Sequence, residues 1–585
     1  MRTKEFAKRA LWAAALAGAV TVSVVVVVLG GCAGSGPYRN AALALLDPPT
    51  DCTEIYKTSD NDIREVASDF TLSDSQRTSR LQAIQNEISD SYNVKGNRNC
   101  WDTAHEHHLG YELFYTEFDD AGQAVDRVEG AAYEKSELYL IETYLRNQLK
   151  PNPGAGATTR SNEQDQGLNI VVFVHGWHGS ARATDSYSIE FKGILQDIAQ
   201  RESRYASTMG SRRPSGSSLT RREHRVVGIE VAWRGDSLLW PSFASVWDRK
   251  LAAETVSIGA VHELFAFLNQ FYLDESCHSG RGNYGPCDRV HLLTIGHSFG
   301  ALIAFRSLVS RLQSGLDADP CFRAYGFGDI TILLNPAIEA ARYRALFNEG
   351  ISRHMVLSEY FGDPTLDPHK CLSGGGSTTT PESGAPGSVP NVQLPTVVTL
   401  QSMGDSATGT YFPMFRRLTT PFQKTLTPQE SQDKNLAIGW NDDFRTHSLK
   451  LAEKSAVSDL CTTVEKAAEK PPAVSQRVTN TAAPTSTPSL SASLTFCPFI
   501  QTNPTQSDTT SQQVRTHVQH MQLEYAPGTT KLLPNYLPLW SVNVSTDIMK
   551  NHDDFWNPQI VRLVSILFQD AYEQTEHLHH ETDIQ

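Results

Sequence analysis

Three residue types that lie far apart in this chain have the makings of acyl-transfer chemistry. Ser298 stands at the centre of Gly296-His297-Ser298-Phe299-Gly300. The apolar run 290–295 before it suits a buried strand. After it, Ala301, Leu302, Ile303, Phe305, Leu308, Val309 and Leu312 recur at helical spacing. A Ser at the apex of strand, tight turn and helix is held clear of its own backbone, and Gly at both ends lets so sharp a turn close. A Ser hydroxyl is a weak nucleophile at neutral pH, so it needs a base, and the base needs an orienting acid. His552, in a polar loop after the strand-like stretch 540–546, fits the base. Asp405, just past the strand-like stretch 395–402, fits the acid. Glu339 and Asp363 are the rival acids; His517, His520, His577, His579 and His580 are the rival bases. A second glycine-bearing turn, His175-Gly176-Trp177-His178-Gly179, ends the apolar run 168–174.

The Gly-His-Ser-Phe-Gly turn, the His175-Gly176 turn and the chain order Ser298, Asp405, His552 resemble those of the α/β-hydrolase superfamily. The resemblance spans about residues 105–350, 390–412 and 535–570. It implies an α/β-hydrolase fold: a mostly parallel central sheet flanked by helices, with long irregular insertions. It implies Ser298 as nucleophile, His552 as base and Asp405 as acid. The amides of Phe299 and Trp177 become the oxyanion donors, with Gly176, Gly296 and Gly300 as the motif glycines. One such donor is worth about 2.7–4 kcal/mol in the transition state. The implied reaction is carboxylic ester hydrolysis through an acyl-enzyme, carboxylesterase- or lipase-like, with no cofactor and no metal. A thioesterase, acyltransferase or peptidase uses the same three residues, and these alternatives stay open. So does a non-catalytic envelope lipoprotein that keeps the fold as a binding scaffold.

The elements that must position these residues follow from the apolar pattern. Strands are expected at 111–118, 168–174, 226–233, 290–295, 329–334, 395–402 and 540–546. Helices are expected near 138–149, 254–270, 299–312 and 560–568, with short helices over 53–100. If each site residue follows a parallel strand, all fall on one sheet edge, where open α/β sheets bind ligands. Trp233, Trp240 and Trp247 recur every seven residues and read as one helical stripe. Residues 201–225, rich in Arg, Ser and Gly, read as an inserted loop. Residues 371–390 and 409–535 are further insertions, with 438–451 a candidate cap and the Ser/Thr/Pro-rich 471–511 expected to be poorly ordered.

At the N-terminus, Arg2, Lys4, Lys8 and Arg9 precede an apolar run, 10–29, that ends at Leu29-Gly30-Gly31-Cys32. That arrangement is a secretory signal, and its ending resembles the lipobox of bacterial lipoproteins. The resemblance implies lipidation at Cys32, with 1–31 removed, and a lipid anchor in the cell envelope, with the outer membrane as the expected address. Residues 32–104 then read as a tether and N-terminal extension, 105–570 as the hydrolase domain and 571–585 as a tail. Nine Cys less Cys32 leave an even set. Nearest-neighbour pairing in an oxidising compartment gives Cys52–Cys100, Cys277–Cys287, Cys321–Cys371 and Cys461–Cys497. A formal net charge of −14 argues against nucleic acid as a partner; the expected partners are an ester substrate and a membrane.

Overall fold

The computed structural model describes residues 37–41, 52–125, 136–149, 167–211, 224–235, 246–275, 289–317, 324–362, 395–420, 422–451, 493–496, 521–525 and 537–582. Strands β1 (His105–His108), β2 (Tyr111–Phe118), β3 (Leu168–Val174), β4 (Arg225–Trp233), β5 (Val290–His297), β6 (Ile330–Leu334), β7 (Val397–Ser402), β8 (His447–Leu451), β9 (Ser493–Phe496), β10 (Met521–Tyr525) and β11 (Leu539–Val544) form one sheet. Their order is β1-β2-β4-β3-β5-β6-β7-β11-β8-β10-β9. From β2 to β8 in that order every pairing is parallel. Only the margins, β1 on β2 and β10 on β8 and β9, are antiparallel. The protein is therefore α/β, with a mixed, mostly parallel sheet.

Buried parallel strands need apolar cover on both faces, and the pleat supplies it. Along β3, Leu168, Ile170, Val172 and Val174 enter one core; Val171 and Phe173 enter the other. The first core is closed by α4 (Glu137–Gln148), α6 (Val246–Val256), α7 (Val261–Glu275), α8 (Phe299–Leu316) and α9 (Ala340–Gly362). The second is closed by α5 (Ser186–Ser211) and α12 (Pro558–Thr582). A third, smaller core joins α1 (Thr53–Ser68), α2 (Asp74–Asn93) and α3 (Arg98–Asp102) to Ile189 of α5. The Cys52–Cys100 disulfide, with Cα atoms 5.8 Å apart, closes that unit. The other proposed pairs, and Cys32, lie outside the described residues.

Several expectations change. The stretch 201–225 is not loop throughout: α5 continues to Ser211, with Arg201 paired to Asp197 one turn back at 3.0 Å. Residues 438–451 are not a cap. They form 3-10 turns and then β8, which pairs with β11 and prolongs the sheet. Within 471–511, Ser493–Phe496 forms β9; the rest lies outside the described residues. The tryptophan stripe does not share one helix: Trp233 ends β4 and Trp247 is in α6, while Trp240 lies outside the described residues. The helix expected at 254–270 is two helices, α6 and α7. The closing helix runs on to Thr582, because Ala571 and Tyr572 continue its buried stripe into what reads as tail.

Tyr38–Ala41, inside the stretch read as tether, is docked. Arg39 is wholly buried. Its guanidinium pairs with Glu106 at 2.9 Å and donates to the carbonyls of Ala181 (2.7 Å) and Trp101 (2.6 Å). It also lies 3.5 Å over the Tyr115 ring. Glu106 is further bonded to Lys192 (2.8 Å), His108 (2.9 Å) and the Tyr115 hydroxyl (3.1 Å).

Candidate active site

Five strands that are neighbours in the sheet, β3, β5, β6, β7 and β11, each deliver one part of the site just past their C-terminal ends. From β5 the chain turns at Ser298 into α8. Ser298 has φ 55° and ψ −118°, a conformation that costs a non-glycine residue about 1–3 kcal/mol. Its amide donates to Leu334 O (3.0 Å) and its carbonyl accepts from the Ala337 amide (3.2 Å), so the strained turn is pinned to the exit of β6. The glycines are demanded by contact. A Cβ on Gly300 would sit 2.1 Å from Val174 O and 2.4 Å from His175 O. One on Gly296 would sit 2.7 Å from Ala301 Cα.

The loop after β11 carries His552. Its Nε2 lies 2.8 Å from Ser298 Oγ and its Nδ1 lies 2.9 Å from Asp405 Oδ2, at the exit of β7. Asp405 is buried, and its two oxygens also accept from the Thr408 hydroxyl, the Ala407 (2.8 Å) and Thr408 (3.1 Å) amides and Gln401 Nε2 (3.0 Å). Burial alone would raise the Asp405 carboxyl. The bond and charge of His552, with the Thr408 donors, outweigh it and bring the carboxyl down to about 2. Burial likewise works to lower His552, but the bond and charge of Asp405 raise it above an ordinary histidine. A carboxylate at Nδ1 fixes the proton there and leaves Nε2 free to accept from the Ser298 hydroxyl.

The turn after β3 closes against the nucleophile's backbone. A Cβ on Gly176 would lie 2.7 Å from His297 Nδ1 and 3.0 Å from Ser298 Cβ. The turn is locked by His175, whose Nδ1 donates to Gly176 O (2.9 Å) while its Nε2 accepts from the Trp233 amide (3.1 Å). Burial takes His175 down to about 4, so it stays neutral and structural. Among the described residues neither the Trp177 nor the Phe299 amide meets an acceptor. Phe299 follows Ser298 and Trp177 follows Gly176, which packs on Ser298; amides with no acceptor are the kind of donor that an oxyanion requires.

Comparisons of the chain with protein-family models, curated proteins and solved structures find no match.

Of the rival acids, Glu339 is engaged elsewhere. Glu339 is paired with Lys250 (2.9 Å), Arg342 (2.7 Å) and Arg416 (3.1 Å). Asp363, His517 and His520 lie outside the described residues, and His577, His579 and His580 fall in the last turns of α12. Sequence reasoning missed a layer of supports. Asn335, with φ 42° at the exit of β6, donates from Nδ2 to the carbonyls of His552 (2.8 Å) and Asn551 (3.3 Å). Its Oδ1 accepts from the Ser402 amide (2.8 Å). His297, beside the nucleophile, donates from Nε2 to the same His552 carbonyl (3.1 Å) and stacks on Phe555, ring centroids 3.8 Å apart. Trp440 Nε1 donates to Thr408 Oγ1 (2.9 Å) behind the acid. Only the positions of Asn335 and His297, each at a strand end, hinted at these roles. His297, His552 and Asp553 bring ligand atoms within 4.8 Å of one another. Both nitrogens of His552 are already bonded, so a metal there would compete with Ser298 and Asp405 for the imidazole.

Proposed function

We propose that this protein is a serine hydrolase of the α/β-hydrolase type that cleaves carboxylic esters. The observation that carries the reading is the continuous hydrogen-bonded chain from Ser298 Oγ through His552 to Asp405, with the Ser on a strained strand–helix turn. Ser298 Oγ attacks the ester carbonyl carbon as its proton passes to His552 Nε2. The oxyanion is held by the Phe299 and Trp177 amides. Asp405 stabilises the imidazolium. Collapse expels the alcohol, which takes the proton from His552 and leaves the acyl group on Ser298. Water then attacks that acyl-enzyme, giving its proton to His552, and the acid departs as the proton returns to Ser298 Oγ. The lipobox-like start supports a lipid-anchored place in the cell envelope.

The test is labelling and turnover. A fluorophosphonate probe should modify the folded protein at Ser298, and Ser298→Ala should abolish labelling and cut turnover of a short-chain ester by roughly 10³-fold or more. A folded wild-type protein that neither reacts with the probe nor hydrolyses esters would overturn the assignment.

A further inference from the structure

Large apolar side chains are exposed at few places among the described residues, and most of those places are in one stretch. Met403, Tyr411, Met414, Leu418, Phe422 and Leu426 are all exposed, the last three at 68, 94 and 93%. The stretch is built directly on the turn that holds Asp405. The Gly409 amide donates to Asp405 O (3.1 Å), a π-helical turn spans Ala407–Tyr411, and α10 (Phe412–Thr419) follows. Phe412 and Arg416 anchor α10 to the protein, one turn apart. Tyr411, Met414 and Leu418, at i, i+3 and i+7, line up on the side away from it. The helix is thus apolar on its outward face, where a solvent-facing helix carries polar groups.

Charge and tether indicate what that face meets. The exposed charges of 403–430 are Arg417, Lys424 and Glu430, whose carboxylate accepts from the Leu426 amide (2.6 Å), so the exposed stretch is net positive in a chain of formal net charge −14. Apolar side chains interleaved with exposed cations suit an anionic lipid surface. The N-terminal segment enters the fold on the same sheet edge. Arg39 is fixed at Ala181, in the loop that follows the Gly176 turn, and its amide donates to Glu117 (2.6 Å) near the end of β2. Arg39 lies seven positions after Cys32, a reach of at most about 24 Å. The strands β2 and β7 are five inter-strand spacings apart, also about 24 Å. With Cys32 lipidated, as the lipobox-like ending implies, Arg39 on this edge stays within about 24 Å of the membrane.

We propose that Tyr411, Met414, Leu418, Phe422 and Leu426 seat on an anionic bilayer and present Ser298 to acyl esters carried in that bilayer. The surface assignment stands on exposure, charge and tether length; the substrate class rests in addition on the hydrolase reading. The full-length chain, reconstituted in phosphatidylglycerol/phosphatidylethanolamine vesicles containing a diazirine-bearing phospholipid, should photo-crosslink within 411–426. Crosslinks confined to the N-terminal segment would overturn the surface assignment and point to a protein partner. The combined variant Leu418→Asp, Phe422→Asp, Leu426→Asp should lower turnover of a vesicle-borne long-chain ester at least tenfold and change that of a water-soluble short-chain ester less than twofold. Equal turnover of the vesicle-borne ester by variant and wild type, or equal losses on both esters, overturns the proposal. A wild type that crosslinks at 411–426 but hydrolyses neither ester leaves the surface standing and removes the enzymatic reading.

Discussion

At the scale of single residues, the pH response is set by the contact between His552 and Asp405. A general base must be neutral, so kcat/KM for an ester should fall as pH drops through the raised pKa of His552. That acidic limb should lie above the range of an unperturbed histidine. Asp405→Asn removes the charge that raises it. The limb should then move to lower pH while the plateau drops roughly 10³–10⁴-fold, read from a pH–rate profile. The same carboxylate contributes to stability with the same pH sense but in a more acidic window. With its folded-state pKa depressed from 3.8 to about 2, its contribution is present above pH 3.8 and is lost as pH falls through about 2. That amounts to about 2 kcal/mol. Acid unfolding followed by circular dichroism should lose this step in Asp405→Asn. Ser298, Asp405 and His552 were legible because each follows an apolar run and is of the right chemical type. Asn335, Gln401 and Thr408 were not, because their role is a set of hydrogen bonds to atoms distant in sequence, which no local pattern encodes.

At the scale of elements, the strand–turn–helix around Ser298 is the closely packed part. Val174 O and His175 O leave no room for a side chain at position 300. Gly300→Ala must therefore push β3 from α8, at a cost of about 1–3 kcal/mol or more. Loss of stability in urea with a parallel loss of fluorophosphonate labelling is the expected result. An Ala tolerated with full labelling would show that the contact relaxes freely. The central strands were readable because a parallel strand buried on both faces is a near-continuous apolar run. The margins were not. β1 is four residues, three of them His, and Glu112, Asp60 and its own Glu106 take up the imidazoles. β8 falls in the stretch that reads as a cap, because its partners, β10 and β11, lie far away in the chain.

At the scale of the whole molecule, Tyr38–Ala41 is part of the fold. Arg39→Ala leaves Glu106 buried with one cation fewer, and removing one partner of such a pair costs about 3 kcal/mol. Urea unfolding of the variant should show that loss. An unchanged midpoint would mean that Lys192 alone satisfies Glu106. The entry of this segment was hidden because Arg39 and Glu106 are 67 residues apart and a lone Arg beside Gly and Pro looks like linker.

The position of β11 has a consequence for how the chain is made. The last strand in sequence is laid between β7 and β8, and it brings the imidazole that meets a hydroxyl 254 residues upstream. Until that strand has been delivered, the sheet is two separate pieces and Ser298 has no base. If the proposed hydrolase reading holds, a truncated chain is therefore chemically silent, and the first ester cleaved reports that the final strand has arrived.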